Sequence, residues 1–159
     1  MSLDDIFHEF ANAFKGRVVN EGREVAFAPF LRRTALDGSL KSLHDVDKYL
    51  IELHTRKSEI PTAVWETTVL WGGAYIGEVI PLSARPNTFR WIDYDDYVPL
   101  HEHLRPLLGP RSTPTCAFLM TQRGMIMPLN KVARFISEGI EHSVHFFASA
   151  ELAKVETVH

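Results

Sequence analysis

The strongest constraint on the fold of this chain is the stretch over residues 64–78, VWETTVLWGGAYIGE, which we interpret as a central helix. Gly73 and Gly77 lie four residues apart in it, so they leave a bare stripe on one helix face. A glycine inside a helix costs about 1 kcal/mol relative to alanine, so helix propensity does not explain these residues. We therefore expect another element to pack very closely against the stripe.

The same helix carries a second pattern, because Trp71, Tyr75 and Glu78 recur at i, i+4 and i+7 and share one face. A desolvated carboxylate beside two aromatic rings suits a general acid or base, or a binding pocket. In the alternative interpretation Glu78 is structural, and accepts hydrogen bonds from Arg85 or Arg90. We favour the structural role, because one carboxylate without a second catalytic group makes no mechanism.

Capping residues and proline predict where several helices begin and end. Ser2 with Asp5, and Ser42 with Asp45, resemble capping boxes in which Asp replaces the usual Glu. Pro81 is expected to end the central helix, because proline removes a backbone donor. The predicted helices cover residues 3–15, 42–57, 61–81, 129–138 and 140–152, and the predicted strands cover residues 89–92, 115–121 and 125–127.

These elements predict an α+β fold, with roughly four to five helices packed on a small, mainly antiparallel sheet. The length of the chain fits one domain over residues 1–159. Regular strand–helix alternation, which would predict a parallel doubly wound sheet, is missing. Residues 17–36 stay open between a short strand over residues 17–19, an edge strand over residues 25–30, and a helix over residues 24–35 kinked at Pro29.

Composition and motifs argue against several classes of function. The formal net charge is -3, whereas nucleic-acid-binding proteins usually carry a basic patch. A single cysteine, no secretory signal pattern and no apolar run of about 20 residues predict a cytoplasmic protein that does not enter membranes. No nucleotide-binding loop or nucleophile elbow is present, so we expect no cofactor and assign no catalytic residue. No pattern predicts an oligomeric state.

Histidines near the end of the chain suggest a third possible kind of site. His142 and His145 share a helix face with Glu138 and Glu141, which places oxygen and nitrogen donors together. Metal sites in helical bundles draw such donors from four helices, and only one such helix is present here. We therefore predict no metal site, and keep a metal protein as the weakest hypothesis.

The run over residues 91–97, WIDYDDY, alternates acidic and aromatic side chains after a predicted strand. Tyrosine and tryptophan are favoured at the energetic centres of protein interfaces, and carboxylates steer a basic partner. The alternative is a solvated loop with Trp91 in the core. The residues of this candidate surface are Trp91, Asp93, Tyr94, Asp95, Asp96 and Tyr97.

Three stretches together resemble a loose group of small, uncharacterised bacterial proteins. They are the segment LDGSLKSL over residues 36–43, followed by Asp47 and Leu50; the segment GAYIGEV over residues 73–79, followed by Trp91; and Pro128 with Val132, Gly139, Glu141 and Ser143. The resemblance covers about residues 36–145. It implies a bacterial α+β domain without an established activity, and some such proteins look like immunity or accessory partners in toxin systems. It carries no catalytic residues.

Two functions follow as hypotheses. The leading one is a non-enzymatic domain that binds another protein through the run over residues 91–97. The alternative is a small ligand-binding domain or hydrolase, whose pocket contains Glu78, Tyr75 and Trp71. A pocket that exposes Glu78 would favour the alternative, whereas a Glu78 sealed in an ion pair would oppose it.

Overall fold

The computed structural model of this chain describes residues 1–17, 22–84, 89–122 and 124–156, and it confirms the predicted α+β class. Three antiparallel strands lie in the order β1-β2-β3, with helices packed against them. The described residues form seven α-helices, more than predicted, because two of these are single turns. The helices are α1 (Leu3–Phe14), α2 (Leu43–Thr55), α3 (Thr62–Ser83), α4 (Tyr94–Tyr97), α5 (Arg105–Leu108), α6 (Pro128–Glu138) and α7 (Val144–Glu156). The strands are β1 (Arg90–Asp93), β2 (Ala117–Thr121) and β3 (Gly124–Ile126).

Helix α3 is the centre of the core, and α1, α6 and α7 pack around it. The predicted close approach at its glycine stripe is confirmed. A Cβ atom on Gly73 would overlap the Leu129 side chain and lie 2.9 Å from the Cα of Leu129. A Cβ atom on Gly77 would overlap the indole ring of Trp91. The stripe therefore receives a helix backbone at one glycine and a rigid aromatic ring at the other.

The helix ends agree with the capping predictions at one place and differ at two. The capping box of Ser2 and Asp5 at the start of α1 is confirmed. The box at Ser42 is wrong, because Ser39 caps a 3-10 turn that precedes α2, and the Ser42 hydroxyl bonds elsewhere. The helix end at Pro81 is also wrong, since α3 continues to Ser83. A proline so close to the end of a helix removes few backbone hydrogen bonds, and burial of neighbouring side chains keeps the turn intact.

The described part of residues 17–36 is neither an edge strand nor a kinked helix, so both of those predictions are wrong. It contains two 3-10 turns, Ala28–Phe30 and Arg33–Ala35. The Arg33 guanidinium fixes this irregular segment by donating to the Glu24 carboxylate and, at 2.9 Å, to the carbonyl of Phe14. The strand predicted over residues 17–19 lies mainly outside the described residues.

A buried carboxylate joins helices α2 and α7. Asp47 on α2 accepts a hydrogen bond from the Ser143 hydroxyl at 2.6 Å and from the Val144 backbone N–H at 2.7 Å. The first backbone N–H groups of a helix have no partner within the helix, so a carboxylate there both satisfies them and offsets the helix dipole. Asp47 therefore caps α7 from a distant part of the chain.

The predicted hairpin is confirmed as β2 and β3, although Arg123 of its predicted turn lies outside the described residues. Strand β1 pairs with the other edge of β2, and Trp91 lies opposite Leu119. Side chains alternate between the two faces of a sheet. Leu119 accordingly faces the main core, whereas Phe118 joins a smaller cluster with Tyr94 and Tyr97.

Candidate functional site

A pocket of about 200 Å³ opens where strand β1 meets helices α1 and α3. Most of its described lining is apolar or aromatic, and three side chains are polar. One carboxylate comes from each helix, and α1 also supplies an imidazole. The lining residues are Asp4, Phe7, His8, Ala74, Gly77, Glu78, Pro81, Leu82, Phe89, Trp91 and Leu119.

The aromatic wall of the pocket is held by contacts from three elements. The Trp91 ring stacks on Phe7, with 4.1 Å between ring centroids and 14° between planes. The Trp91 backbone N–H donates to Asp4 Oδ1 at 2.8 Å, so the N-terminus of α1 is tied to β1. Gly77 leaves the space in which the indole ring lies. The wall exists only when α1, α3 and β1 have packed together.

The polar side of the pocket centres on Glu78. Its Oε1 atom lies 3.2 Å from His8 Nδ1, and its Oε2 atom lies 3.9 Å from Lys15 Nζ. The Asn12 side-chain amide lies 3.3 Å from His8 Nε2; when this amide donates, Nδ1 carries the proton donated to Glu78. Oε2 is buried and has no hydrogen-bond partner among the described residues.

Glu78 combines the two features that were expected to distinguish a structural from a functional carboxylate. It is ion-paired with Lys15 on its inner side, as a structural carboxylate would be. It also lines an open pocket, with 24% of its side chain exposed. Of the two arginines expected as its partners, Arg85 lies outside the described residues and Arg90 is exposed on β1. Glu78 therefore anchors α1 to α3 and keeps one side accessible.

The structure does not bring Trp71 and Tyr75 into this pocket with Glu78. Both aromatic side chains are buried in the core, because α3 is covered on nearly all sides. The Tyr75 hydroxyl lies 2.6 Å from Ser42 Oγ and accepts the Gly38 backbone N–H at 3.0 Å. Burial raises the pKa of Tyr75. Its hydroxyl therefore holds the start of α2 against α3.

The run over residues 91–97 folds into the end of β1 and the single turn α4, and it forms no continuous acidic surface. Tyr94 and Tyr97 are buried in the smaller cluster. Asp93 and Asp95 both bind the Arg111 guanidinium, and Asp93 also caps α4. Burial alone would raise the pKa of Asp93, but the hydrogen bonds from the Arg111 side chain and the Asp95 backbone N–H lower it.

Asp96 is exposed and has no ion-pair partner among the described residues. Within the described part of the chain, it is the one carboxylate of the run without an ion pair, and so the one left for a basic partner. Arg111 lies 16 residues or more from the acids it binds, so the spacing of the run itself does not reveal the pairing.

The histidine-rich region near the end of the chain divides into two places. Glu138, Glu141 and His142 come together, with one donor atom from each within 4.8 Å of the others. Lys131 Nζ lies 3.3 Å from His142 Nδ1 and supplies a positive charge beside them. The helix predicted over residues 140–152 is interrupted at Ser143, between a 3-10 turn (Ile140–His142) and α7, so the predicted shared helix face of His142 and His145 is wrong.

His145 instead stacks on His44 at the first turn of α7, with 3.7 Å between ring centroids. Burial lowers the pKa of His145, the neighbouring His44 lowers it further, and Asp47 opposes both. Two stacked imidazoles disfavour a positive charge, and so does the positive end of a helix dipole. This arrangement is most stable with His145 neutral.

Sequence reasoning missed Asp4 and His8 as members of the pocket. The two residues are four apart and share a face of α1, a pattern visible in the sequence. Their meeting with Glu78, a distant residue on α3, depends on how the two helices pack, and no local pattern predicts it.

Comparison with protein-family models, with curated proteins and with solved structures gave no match to this chain. The resemblance to small bacterial proteins therefore stays a prediction. Across the described residues, no helix combines the length and the apolar character required to cross a membrane.

Proposed function

We propose that this chain is a protein-binding domain without enzymatic activity, and that the pocket at Glu78 receives a side chain of the partner. The observation that carries the proposal is the size and rim of the pocket. It measures about 200 Å³ and Leu82 at its edge is 64% exposed. Pockets for small-molecule ligands usually measure about 300–1,000 Å³, whereas interface anchors fill small, well-packed pockets.

The chemistry of the lining supports binding more than catalysis. The described lining residues supply two carboxylates and one imidazole, and none of them carries a hydroxyl or thiol nucleophile. Glu78 is held by Lys15 and His8, which suits a residue that positions a wall of the pocket. Catalysis through a covalent intermediate would need a hydroxyl or thiol nucleophile within reach of the His8–Glu78 pair.

The test uses two exposed leucines, one at the pocket and one elsewhere. Leu82→Glu places a charge on the rim, whereas Leu107→Glu makes the same change on α5, which does not line the pocket. Leu107 is 82% exposed, so both variants should fold with nearly unchanged melting temperatures. Tagged wild-type protein and both variants are used to capture partners from the lysate of the native host, and the captured proteins are quantified by mass spectrometry.

We expect wild type and Leu107→Glu to capture a stoichiometric partner, and Leu82→Glu to capture little or none of it. Equal capture by Leu82→Glu would refute the pocket as the binding site. A third variant, Asp96→Ser, tests the surface proposed from the sequence. Loss of capture in that variant alone would move the binding site to residues 91–97.

A small-ligand or hydrolase function is the second candidate, and the His8–Glu78 pair favours it. An imidazole that donates to a carboxylate at a pocket wall is an arrangement used in general acid–base chemistry. A thermal-shift screen with small metabolites tests this candidate. A small-ligand function would replace protein binding if two results were obtained together. A compound would raise the melting temperature of wild type but not of His8→Gln or Glu78→Gln, and Leu82→Glu would still capture every partner.

A further inference from the structure

Resting on the proposed function above, we infer that the partner group entering the pocket is cationic, the side chain of a lysine or arginine in a basic segment. The inference depends on three features of the pocket: the sign of its charges, the position of the compensating lysine, and the chemistry of its walls.

The carboxylates and basic side chains that line the pocket, among the residues the structure describes, give it one sign of fixed charge. Asp4 and Glu78 contribute two carboxylates, and none of the described lining residues is a lysine or arginine. Asp4 is exposed and uses one oxygen to accept the Trp91 N–H. Its second oxygen has no hydrogen-bond partner among the described residues, and so can accept a donor from a bound group.

The compensating cation lies behind the pocket and not in it. Lys15 approaches Glu78 Oε2 at 3.9 Å from the inside of the protein, and only 8% of its side chain is exposed. His8 covers the other oxygen, and its side chain is 62% exposed, so it can move aside for a guest. With the histidine neutral, the described residues on the open side of the pocket carry more negative than positive charge.

The walls match the rest of a lysine or arginine side chain. Pro81 and Leu82 offer apolar surface for a methylene stem. The half-buried Phe89 ring lies in the same lining, and aromatic rings attract ammonium and guanidinium groups. An aliphatic stem ending in a cation therefore matches the apolar walls and the carboxylates together.

The experiment titrates ¹⁵N-labelled full chain with two capped amino acids of nearly equal shape. One is N-acetyl-arginine methylamide, and the other is N-acetyl-citrulline methylamide, in which a neutral urea replaces the guanidinium. Chemical-shift changes are followed by NMR for wild type, Glu78→Gln, Asp4→Asn and the control Glu138→Gln. Glu138 lies on α6 and does not line the pocket.

We expect chemical-shift changes confined to the pocket residues. The arginine derivative should bind about fivefold more tightly than the citrulline derivative, a difference that a partly exposed ion pair can supply. Glu78→Gln or Asp4→Asn should remove this preference, and Glu138→Gln should retain it. Glu78→Gln leaves Lys15 without its ion-pair partner, and this variant can therefore fail to fold. In that case Asp4→Asn decides the test, because its side-chain amide oxygen can still accept the Trp91 N–H.

The two proposals can fail separately in this experiment. Equal binding of arginine and citrulline at the pocket overturns the cationic inference and leaves the proposed function standing. Absence of pocket shifts with either compound overturns the inference as well. If, in addition, Leu82→Glu captures as much partner as wild type, the proposed binding function of the pocket is refuted too.

Discussion

Replacing Gly73 by alanine tests the close contact between α3 and α6 on which the core depends. An alanine Cβ at this position would lie 2.9 Å from the Leu129 Cα and 3.0 Å from its backbone nitrogen. Backbone atoms cannot rotate away as a side chain can. The two helices must therefore shift apart, and the contacts that α6 makes along α3 must loosen with them.

The size of the effect follows from two opposing terms. Alanine gains about 1 kcal/mol over glycine inside a helix. Overpacking a core typically costs about 1–3 kcal/mol, and a clash with backbone belongs at the upper end of that range. We expect Gly73→Ala to lower the free energy of unfolding by about 1–2 kcal/mol.

Gly72→Ala is the matched control, one residue earlier on the same helix. Its Cβ would meet Phe14 at 3.5 Å and Val132 at 3.7 Å, which are ordinary van der Waals distances. Only the helix-propensity gain remains, so this variant should be stabilised by as much as about 1 kcal/mol.

Urea unfolding, followed by far-ultraviolet circular dichroism, gives the free energy of unfolding for wild type and both variants. The two substitutions are chemically identical, so the difference between them isolates the contact with Leu129. A difference of about 2–3 kcal/mol in favour of Gly72→Ala is expected. Equal stabilities would refute the argument that Gly73 is required for close helix packing.

Three further predictions concern stability. Asp47→Ala should lower the free energy of unfolding by about 2–4 kcal/mol, because it removes the cap of α7 and leaves buried donors unpaired. Asp45→Ala, which loses a 3.7 Å ion pair with the exposed Arg32 and a favourable charge in the first turn of α2, should cost about 1 kcal/mol. Acid should destabilise the fold through His145, because its folded pKa lies below the unfolded value. This contribution is complete above about pH 6.5 and is lost as the pH falls through the folded pKa. Tyr75→Phe should cost about 1–2 kcal/mol, because it removes the hydroxyl that holds the start of α2.

Urea unfolding measures each of these effects. Equal losses in the Asp47 and Asp45 variants would contradict the cap. For the pH effect, the loss of stability between pH 7.5 and 5.5 is compared in wild type and His145→Gln, and an unchanged loss in the variant would contradict the role of His145. A Tyr75→Phe variant as stable as wild type would show that its hydrogen bonds add nothing over those to water.

Local chemistry made much of the fold predictable. The capping box at Ser2 needs only neighbouring residues, and it formed as expected. The hairpin of β2 and β3 was also predictable, because alternation and turn residues are local signals. The end of α3 was predicted at Pro81 and lies at Ser83, since a proline so close to the end of a helix removes few backbone hydrogen bonds.

The candidate site was much less predictable. Trp91 and Glu78 were both named from the sequence, but the pocket also needs Asp4 and His8. The acids of residues 91–97 suggested a surface, and Arg111 neutralises two of them through a contact that spacing does not reveal. A site built from several elements depends on helix packing, and the residues that meet in it carry no common local pattern.

The sequence by itself determined the α+β class, the glycine stripe of the central helix and most of the long elements, because periodicity and backbone preference act over a few neighbouring residues. Only the tertiary structure decided which side chains share a pocket, which carboxylates stay free and which residue caps α7. Those outcomes depend on the burial and pairing of groups far apart in the chain, where desolvation and long-range contacts outweigh local propensity.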